Sequence, residues 1–107
     1  MPATSAGDPV LHRIREARDA MYGDEIERVV LFGSRARGDA RDESDYDVAI
    51  FLRSLPDSWA ELDRLAALRV RLIDDTGAFI DAKPYSPGAY RERTALMHEI
   101  RQDGIDL

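Results

Sequence analysis

Hydrophobic residues recur at helical spacing in three separate stretches of the chain. The positions are Val10, Ile14, Ala17 and Met21 in the first stretch, Leu62, Leu65, Leu68 and Leu72 in the second, and Tyr90, Met97 and Ile100 in the third. Steps of three, four or seven residues place such side chains on one face of a helix and leave the other face polar. The pattern therefore predicts three amphipathic helices.

Residues typical of helix ends bound these three stretches. Asp8-Pro9 and Ser86-Pro87 each combine a capping side chain with a proline that suits the first helical turn. Ser58 and Glu61 have the spacing of a capping box, which predicts that the second helix begins there. The expected C-terminal ends of the helices are Gly23-Asp24, Gly77 and Asp103-Gly104.

Three runs rich in β-branched and aromatic residues predict strands. These runs are Ile26 to Phe32, Asp45 to Leu52, and Ala78 to Tyr85. The second run is polar at its start and apolar on both faces afterwards, as in a central strand whose first residues reach the edge of a sheet. The order helix, strand, turn, strand, helix, strand, helix predicts an α/β or α+β fold. We expect a small mixed sheet of about three or four strands, flanked by helices.

The length and the longest apolar run limit the organisation of the chain. The 107 residues are about the size of one domain, and residues 1–7 are small and polar without periodicity. We expect a flexible tail over residues 1–7 and a single domain over residues 8–107. The longest apolar run, residues 29–33, is too short to span a bilayer, and residues 1–8 lack the basic and apolar parts of a secretion signal. These features predict a cytoplasmic protein without a membrane-spanning segment.

The charge balance and the absence of cysteine exclude several functions. Twenty-one acidic and 15 basic residues give a formal net charge of −6, so we expect no direct binding to nucleic acid. The chain has no cysteine, which excludes disulfides, thiolate catalysis and cysteine-ligated zinc.

Gly33-Ser34 follows directly on the first predicted strand. A glycine at this position lets the backbone approach a ligand, and exposed amides together with the Ser34 hydroxyl can face anionic oxygens. Arg35 and Arg37 add positive charge, so the turn is a candidate site for the phosphates of a nucleotide. The arginines equally fit a structural role, in which they balance the acidic side chains of the same polar turn.

Asp45 and Asp47 stand two residues apart at the start of the second predicted strand. Strand geometry points both carboxylates to the same side, about 7 Å apart along the chain. Two such carboxylates repel each other unless a hard divalent cation such as Mg²⁺ or Mn²⁺ neutralises them. Phosphoryl-type transfer depends on this kind of charge neutralisation around the phosphorus.

These residues together resemble a known signature. Gly33-Ser34, ten intervening residues and Asp45-Tyr46-Asp47, with Val48-Ala49-Ile50 behind them, are similar to the motif of the DNA polymerase β-like nucleotidyltransferase superfamily. The fuller pattern, Gly-Ser-Arg-Ala-Arg-Gly followed by Ser-Asp-Tyr-Asp, most resembles its minimal nucleotidyltransferase (MNT) branch. That branch supplies the antitoxins of HEPN/MNT toxin-antitoxin pairs. The resemblance implies a polymerase β-like nucleotidyltransferase fold.

The resemblance also implies a third carboxylate, on a later strand, that completes the metal site and helps to deprotonate the attacking hydroxyl. Asp81 is the candidate, because an acidic residue in an otherwise apolar strand needs a reason. A structural ion pair with an arginine or with Lys83 is the alternative. The implied site therefore has Asp45, Asp47 and Asp81 as catalytic and metal-binding residues, and Gly33, Ser34, Arg35 and Arg37 as nucleotide-binding residues.

The function implied by the resemblance is that of an MNT-type antitoxin. Such a protein transfers AMP from ATP to a hydroxyl, which we expect to be a tyrosine, of a cognate HEPN toxin, and forms a hetero-oligomer with it. All the catalytic parts fit in the 107 residues and we expect nothing to remain for an acceptor pocket, which favours an acceptor on another macromolecule. Two alternatives stay open: a non-catalytic antitoxin that acts by occlusion, and a small-molecule nucleotidyltransferase of the antibiotic-modifying type.

Overall fold

The computed structural model describes residues 8–107. The predicted tail over residues 1–7 lies outside the described residues. The helices are α1 (Pro9–Met21), α2 (Ser34–Arg37), α3 (Ser58–Thr76) and α4 (Ala95–Asp103), and the strands are β1 (Ile26–Phe32), β2 (Tyr46–Leu52), β3 (Ile80–Tyr85) and β4 (Ile105–Asp106). Single 3-10 turns occur at Gly23–Glu25 and Ala89–Arg91. No helix in this part of the chain is long and apolar enough to cross a membrane.

The four strands form one mixed sheet in the order β3-β2-β1-β4. Strand β1 runs antiparallel to both β2 and β4, whereas β2 and β3 are parallel and are joined through α3. A parallel pair requires such a crossover connection, and the long amphipathic α3 provides it. The predicted mixed α+β fold with a small sheet flanked by helices is confirmed.

The two faces of the sheet are covered unequally. Helices α1 and α3 bury one face, where Leu65, Leu68 and Leu72 pack against alternate residues of β1, β2 and β3. On the other face, α4 and the Ala89–Arg91 turn pack over Val30, Ala49 and Phe51. Strand β2 is buried on both sides by this arrangement, as expected of a central strand.

Two helix starts differ from the sequence prediction. Helix α3 is capped by Asp57, whose side chain accepts hydrogen bonds from the backbone N–H groups of Trp59 and Ala60, so Ser58 is the first helical residue rather than the cap. The third predicted helix begins at Ala95 and is capped by Thr94, well after Ser86-Pro87. Gly88, with a φ of 85°, turns the chain before a helix can form.

The early part of the third predicted helix is used differently. Tyr90 lies in the Ala89–Arg91 turn, and its ring packs edge-on against Phe51 with the ring centroids 5.4 Å apart. Tyr90 is therefore a core residue, as its apolar character indicates, but it does not lie on a helix. The chain ends in β4, a short edge strand beside β1 that the sequence pattern did not specify.

Candidate active site

Gly33 forms the sharp turn between β1 and α2. Its φ of 73° lies in a region that residues with a side chain rarely adopt, and its carbonyl accepts hydrogen bonds from the N–H groups of Ala36 and Arg37, at 3.1 and 3.0 Å. A Cβ at this position would overlap Oδ2 of Asp47. Gly33 is therefore required both by the backbone conformation and by the carboxylate next to it.

Asp47 and Asp81 lie side by side on the face of the sheet that α4 packs against. They are paired in the register of the parallel strands β2 and β3, while Asp47 is also paired with Phe32, the last residue of β1. Paired residues on neighbouring strands point to the same face, so the two carboxylates face the same space. Both are partly buried. Asp45 is exposed and lies just before β2.

Acidic groups predominate around Asp47. Burial raises the pKa of Asp47, and the carboxylates of Asp81 and Asp45 raise it further, with a smaller contribution from Glu99. Lys83 opposes these effects, and its Nζ lies 4.0 Å from Oδ2 of Asp81. The net effect on Asp47 is a raised pKa, because burial and the neighbouring carboxylates outweigh the lysine.

The predicted metal ligands are only partly brought together. Across residues 8–107, the structure has no group of three or more Asp, Glu, His or Cys side chains that could hold a metal ion. Asp47 and Asp81 are neighbours, whereas Asp45 projects from the segment before β2. The three-carboxylate metal site stays a prediction.

Arg35 occupies a position that the sequence did not reveal. Its side chain is only 9% exposed, and its guanidinium donates hydrogen bonds to the carbonyl of Ser44, at 3.0 and 3.3 Å, and to that of Asp42, at 3.2 Å. It also lies over the ring of Tyr46, 4.4 Å from the centroid. Arg35 thus fastens the segment that leads into Asp45, and its predicted contact with nucleotide stays a prediction.

Arg37 is half-exposed at the rim of the same face. Its guanidinium lies 3.4 Å from carboxylate oxygens of both Asp39 and Glu99, so it links α2 to α4. Partly exposed ion pairs of this kind are weak and leave the side chain able to exchange partners. Glu99 itself was missed by the sequence analysis, because a single acidic residue on an amphipathic helix carries no distinguishing pattern.

Tyr46 anchors the start of β2 between the two carboxylates that flank it in sequence. The residue is buried, and its hydroxyl donates a hydrogen bond of 2.9 Å to Asp8, the N-cap residue of α1. Burial, together with this carboxylate, raises the pKa of Tyr46 to about 12, so the phenol stays neutral. In the motif Asp45-Tyr46-Asp47, the tyrosine points to the opposite face of the strand from the two carboxylates. Its hydroxyl holds β2 to α1.

A family model described as polymerase beta, nucleotidyltransferase matches residues 18–105. The chain belongs to this nucleotidyltransferase family. The match includes the turn at Gly33 and all three carboxylates, so the resemblance recognised in the sequence motif is confirmed. The roles of the individual residues in this nucleotidyltransferase stay predictions.

Similar proteins add a narrower comparison. A protein of Methanocaldococcus jannaschii, whose given name proposes a protein adenylyltransferase, is 54% identical over 100 residues, which cover 92% of this chain and 95% of the relative. Crystal structures of a toxin-antitoxin with AMP-PNP and of a mutant of the toxin-antitoxin MntA-HpeT match with TM-scores of 0.65 and 0.66. They are 18% and 17% identical, and each match covers 89% of this nucleotidyltransferase and 69% of the other chain. At that identity they confirm the fold.

Proposed function

We propose that this nucleotidyltransferase is an MNT-type antitoxin that transfers AMP from ATP to a tyrosine hydroxyl of a cognate HEPN toxin and thereby neutralises it. The observation that carries the proposal is the meeting of Gly33, Asp47 and Asp81 at one end of the sheet. The relative named as a protein adenylyltransferase, at 54% identity over nearly its whole length, supports a protein as the acceptor. The fold neighbours that are toxin-antitoxin structures support a toxin as that protein.

The proposed reaction is a displacement at the α-phosphorus of ATP. The acceptor oxygen forms a bond to this phosphorus, the bond between the α-phosphorus and the bridging oxygen breaks, and pyrophosphate leaves. Asp81 accepts the proton of the hydroxyl. The turn after β1 presents the Ser34 hydroxyl and Arg37, and these groups orient the leaving pyrophosphate.

Asp47, Asp81 and Asp45 would hold a divalent cation, Mg²⁺ or Mn²⁺. Carboxylate oxygens are the ligand atoms that these hard cations prefer. Because Gly33 has no Cβ, the Asp47 carboxylate can lie directly beside the turn. When bound, the cation would neutralise the carboxylates and the negative charge that develops on the phosphates. Without it, the carboxylates would repel ATP.

The decisive experiment measures AMP transfer to the toxin. The purified protein, ATP and Mg²⁺ are incubated with the proposed partner, a HEPN toxin sought in the adjacent gene, and the intact masses of both chains are recorded. We expect a mass increase of one or more AMP units on the toxin, loss of its activity, and no transfer when EDTA is added. Peptide mapping of the product tests whether the modified residue is a tyrosine.

The two alternatives predict different results in the same experiment. An antitoxin that acts by occlusion neutralises the toxin without ATP and leaves its mass unchanged. A small-molecule nucleotidyltransferase neither binds nor modifies the toxin, but modifies a hydroxylated small molecule such as an aminoglycoside. Either result would overturn the proposed protein adenylyltransferase activity.

A further inference from the structure

Phe79 is a largely exposed aromatic residue directly before β3. Its side chain is 62% exposed, although its backbone is fixed, because its carbonyl accepts a hydrogen bond of 2.9 Å from the N–H of Tyr46. Single exposed apolar side chains are common on protein surfaces and need no special explanation. What distinguishes Phe79 is its position beside the carboxylates of the candidate active site.

Phe79 shares a face of the sheet with Asp81. Ala78, Ile80 and Ala82 all pack against the core cluster that α1 and α3 cover. Successive side chains of an extended chain point to opposite faces, so Phe79 and Asp81 both point away from that cluster. The ring and the carboxylate therefore stand next to each other along one edge of the sheet.

The alignment of β2 and β3 also brings Phe79 next to Asp45. Asp47 is paired with Asp81 in the register of these parallel strands. The hydrogen bond from Tyr46 to Phe79 continues the same alignment before β3 begins. Asp45 and Phe79, each two residues earlier than the paired carboxylates, are therefore neighbours as well. An exposed apolar ring thus borders the acidic residues to which the proposed function assigns the chemistry.

The strand order places Phe79 on the side of the site from which an acceptor must arrive. Gly33 follows β1, whereas Phe79 precedes β3, which lies on the other side of β2. In phosphoryl-type transfer the attacking and the leaving oxygen lie roughly in line across the phosphorus. If pyrophosphate leaves toward Gly33, the hydroxyl approaches from the side of Asp81, and Phe79 lies beside the group that carries it.

We propose that the Phe79 ring packs against the aromatic ring of the acceptor side chain and so makes the nucleotidyltransferase selective for a tyrosine over a serine or threonine hydroxyl. The inference rests on the proposed function and adds the residue that selects its acceptor. Strand geometry separates Phe79 from Asp81 by about 7 Å, and aromatic rings attract each other at centroid distances of roughly 4.5 to 7 Å. A phenol whose oxygen lies at Asp81 therefore has its ring within reach of Phe79. The hydroxyl of a serine or threonine is bonded directly to Cβ, so no ring accompanies it to this surface.

The test compares two variants of Phe79 with a control at another exposed aromatic residue. Phe79→Ala removes the ring, and Phe79→Leu keeps much of the apolar area without it. Trp59→Ala is the control, because Trp59 is 80% exposed and lies on α3, the helix that covers the opposite face of the sheet. The melting temperature, KM for ATP, kcat/KM for the toxin, and affinity for the toxin without ATP are measured for each protein.

We expect Phe79→Ala to lower kcat/KM for the toxin by roughly tenfold, as the loss of one aromatic contact implies, and Phe79→Leu to lie between it and the wild type. KM for ATP and the melting temperature should stay unchanged, and Trp59→Ala should behave as the wild type. A rise in KM for ATP would place the adenine base on Phe79 and overturn the inference. Unchanged kcat/KM for the toxin in Phe79→Ala, or an equal loss in Trp59→Ala, would also overturn it.

A double-mutant cycle tests the contact without the chemistry. The acceptor tyrosine of the toxin, located by peptide mapping, is replaced by alanine, and toxin affinity is measured with the wild type and with Phe79→Ala. If the two rings touch, each change weakens binding and the combined loss is smaller than the sum of the single losses. Strictly additive losses would overturn the inference and leave the proposed AMP transfer intact.

The outcome for the wild type separates this inference from the proposed function. Transfer of AMP to a serine or threonine of the toxin would overturn the role of Phe79 and the tyrosine acceptor, while the protein adenylyltransferase activity would stand. Absence of any AMP transfer by the wild type would overturn the proposed function, and this inference with it.

Discussion

The Asp47 carboxylate occupies the space beside Gly33 that a side chain at Gly33 would need. Gly33 directly follows β1 and Asp47 lies in β2, and their closeness follows from the antiparallel register of these strands, in which Phe32 is paired with Asp47. The glycine of the turn and the carboxylate of the strand are thus one structural unit. A substitution at Gly33 displaces Asp47 before it meets any nucleotide.

Gly33→Ala is expected to abolish AMP transfer and to destabilise the fold by more than Gly77→Ala does. Gly77 is the matched control, because its φ of 75° is close to the 73° of Gly33 while a Cβ there would meet no atom within 4 Å. Backbone strain alone should cost about 1 kcal/mol of unfolding free energy in each variant. Urea denaturation and the transfer assay measure both effects. Normal transfer by Gly33→Ala would show that Asp47 can move without loss of function.

Asp47→Asn is expected to stabilise the cation-free protein near neutral pH while it abolishes transfer. The pKa of folded Asp47 is raised, so the folded state binds this proton more tightly than the unfolded state does. That contribution to stability is complete below the unfolded pKa and is lost as pH rises through the folded pKa. The ionised carboxylate therefore destabilises the fold at neutral pH, and the neutral amide of the variant does not.

Thermal unfolding in EDTA between about pH 4 and pH 8 checks this prediction. The melting temperature of Asp47→Asn should exceed that of the wild type at the upper end of the range and converge with it at the lower end. Asp63→Asn, an exposed position on α3, controls for the change in net charge. A variant that melts below the wild type at neutral pH contradicts the prediction.

Arg35→Met is expected to lower stability by about 1 to 2 kcal/mol, because it removes the part-buried hydrogen bonds that the charged guanidinium donates to the carbonyls of Ser44 and Asp42. Transfer should fall through kcat, since the segment that positions Asp45 is loosened, while KM for ATP changes little. Arg37→Met removes only half-exposed ion pairs and should cost less than about 1 kcal/mol. Denaturation curves and steady-state kinetics of both variants supply the comparison. An increase in KM for ATP as the main effect of Arg35→Met would instead support its predicted contact with nucleotide.

Asp81→Asn is expected to retain toxin binding and much of the ATP affinity, since Asp45, Asp47 and the Gly33-Ser34 turn are left in place to hold the nucleotide. Transfer should fall by roughly 10²-fold to 10⁴-fold, the usual effect of removing a positioned base. Lys83→Gln is the companion variant: Lys83 contacts Asp81 at 4.0 Å but is 61% exposed in its side chain, so its loss should have a smaller effect. Single-turnover transfer and calorimetric binding measure the two properties separately. Near-normal transfer by a folded Asp81→Asn protein would exclude Asp81 as the base.

Much of the fold could be predicted because its signals are local. The steps of three and four residues in α1 and α3, the Asp8 cap and the Gly77 stop all depend on contacts within one or two helical turns. The candidate site was partly predictable for the same reason. Gly33-Ser34 and Asp45-Tyr46-Asp47 lie within one strand-turn-strand unit, where spacing along the chain nearly fixes spacing in the fold.

The third helix shows where local signals failed. Ser86-Pro87 has the composition of a helix start, yet Gly88 turns the chain and Tyr90 packs on Phe51 from a 3-10 turn. The burial of the aromatic ring on the sheet outweighs the local preference for an early helix start. The helix begins only at Ala95, where Thr94 can cap it.

The sequence by itself determined which strand carries each candidate group, and the tertiary structure decided which groups meet. Asp81 lies beside Asp47 because α3 returns the chain so that β3 pairs parallel to β2 in one particular register, and a shift of one residue would turn Asp81 to the opposite face. Arg35 turns inward because the carbonyls before Asp45 need donors, a demand that exists only once the turn has folded. Both arrangements depend on contacts between residues that the fold brings together. The free energy of such contacts is set by packing and by burial of polar groups rather than by local conformational preference.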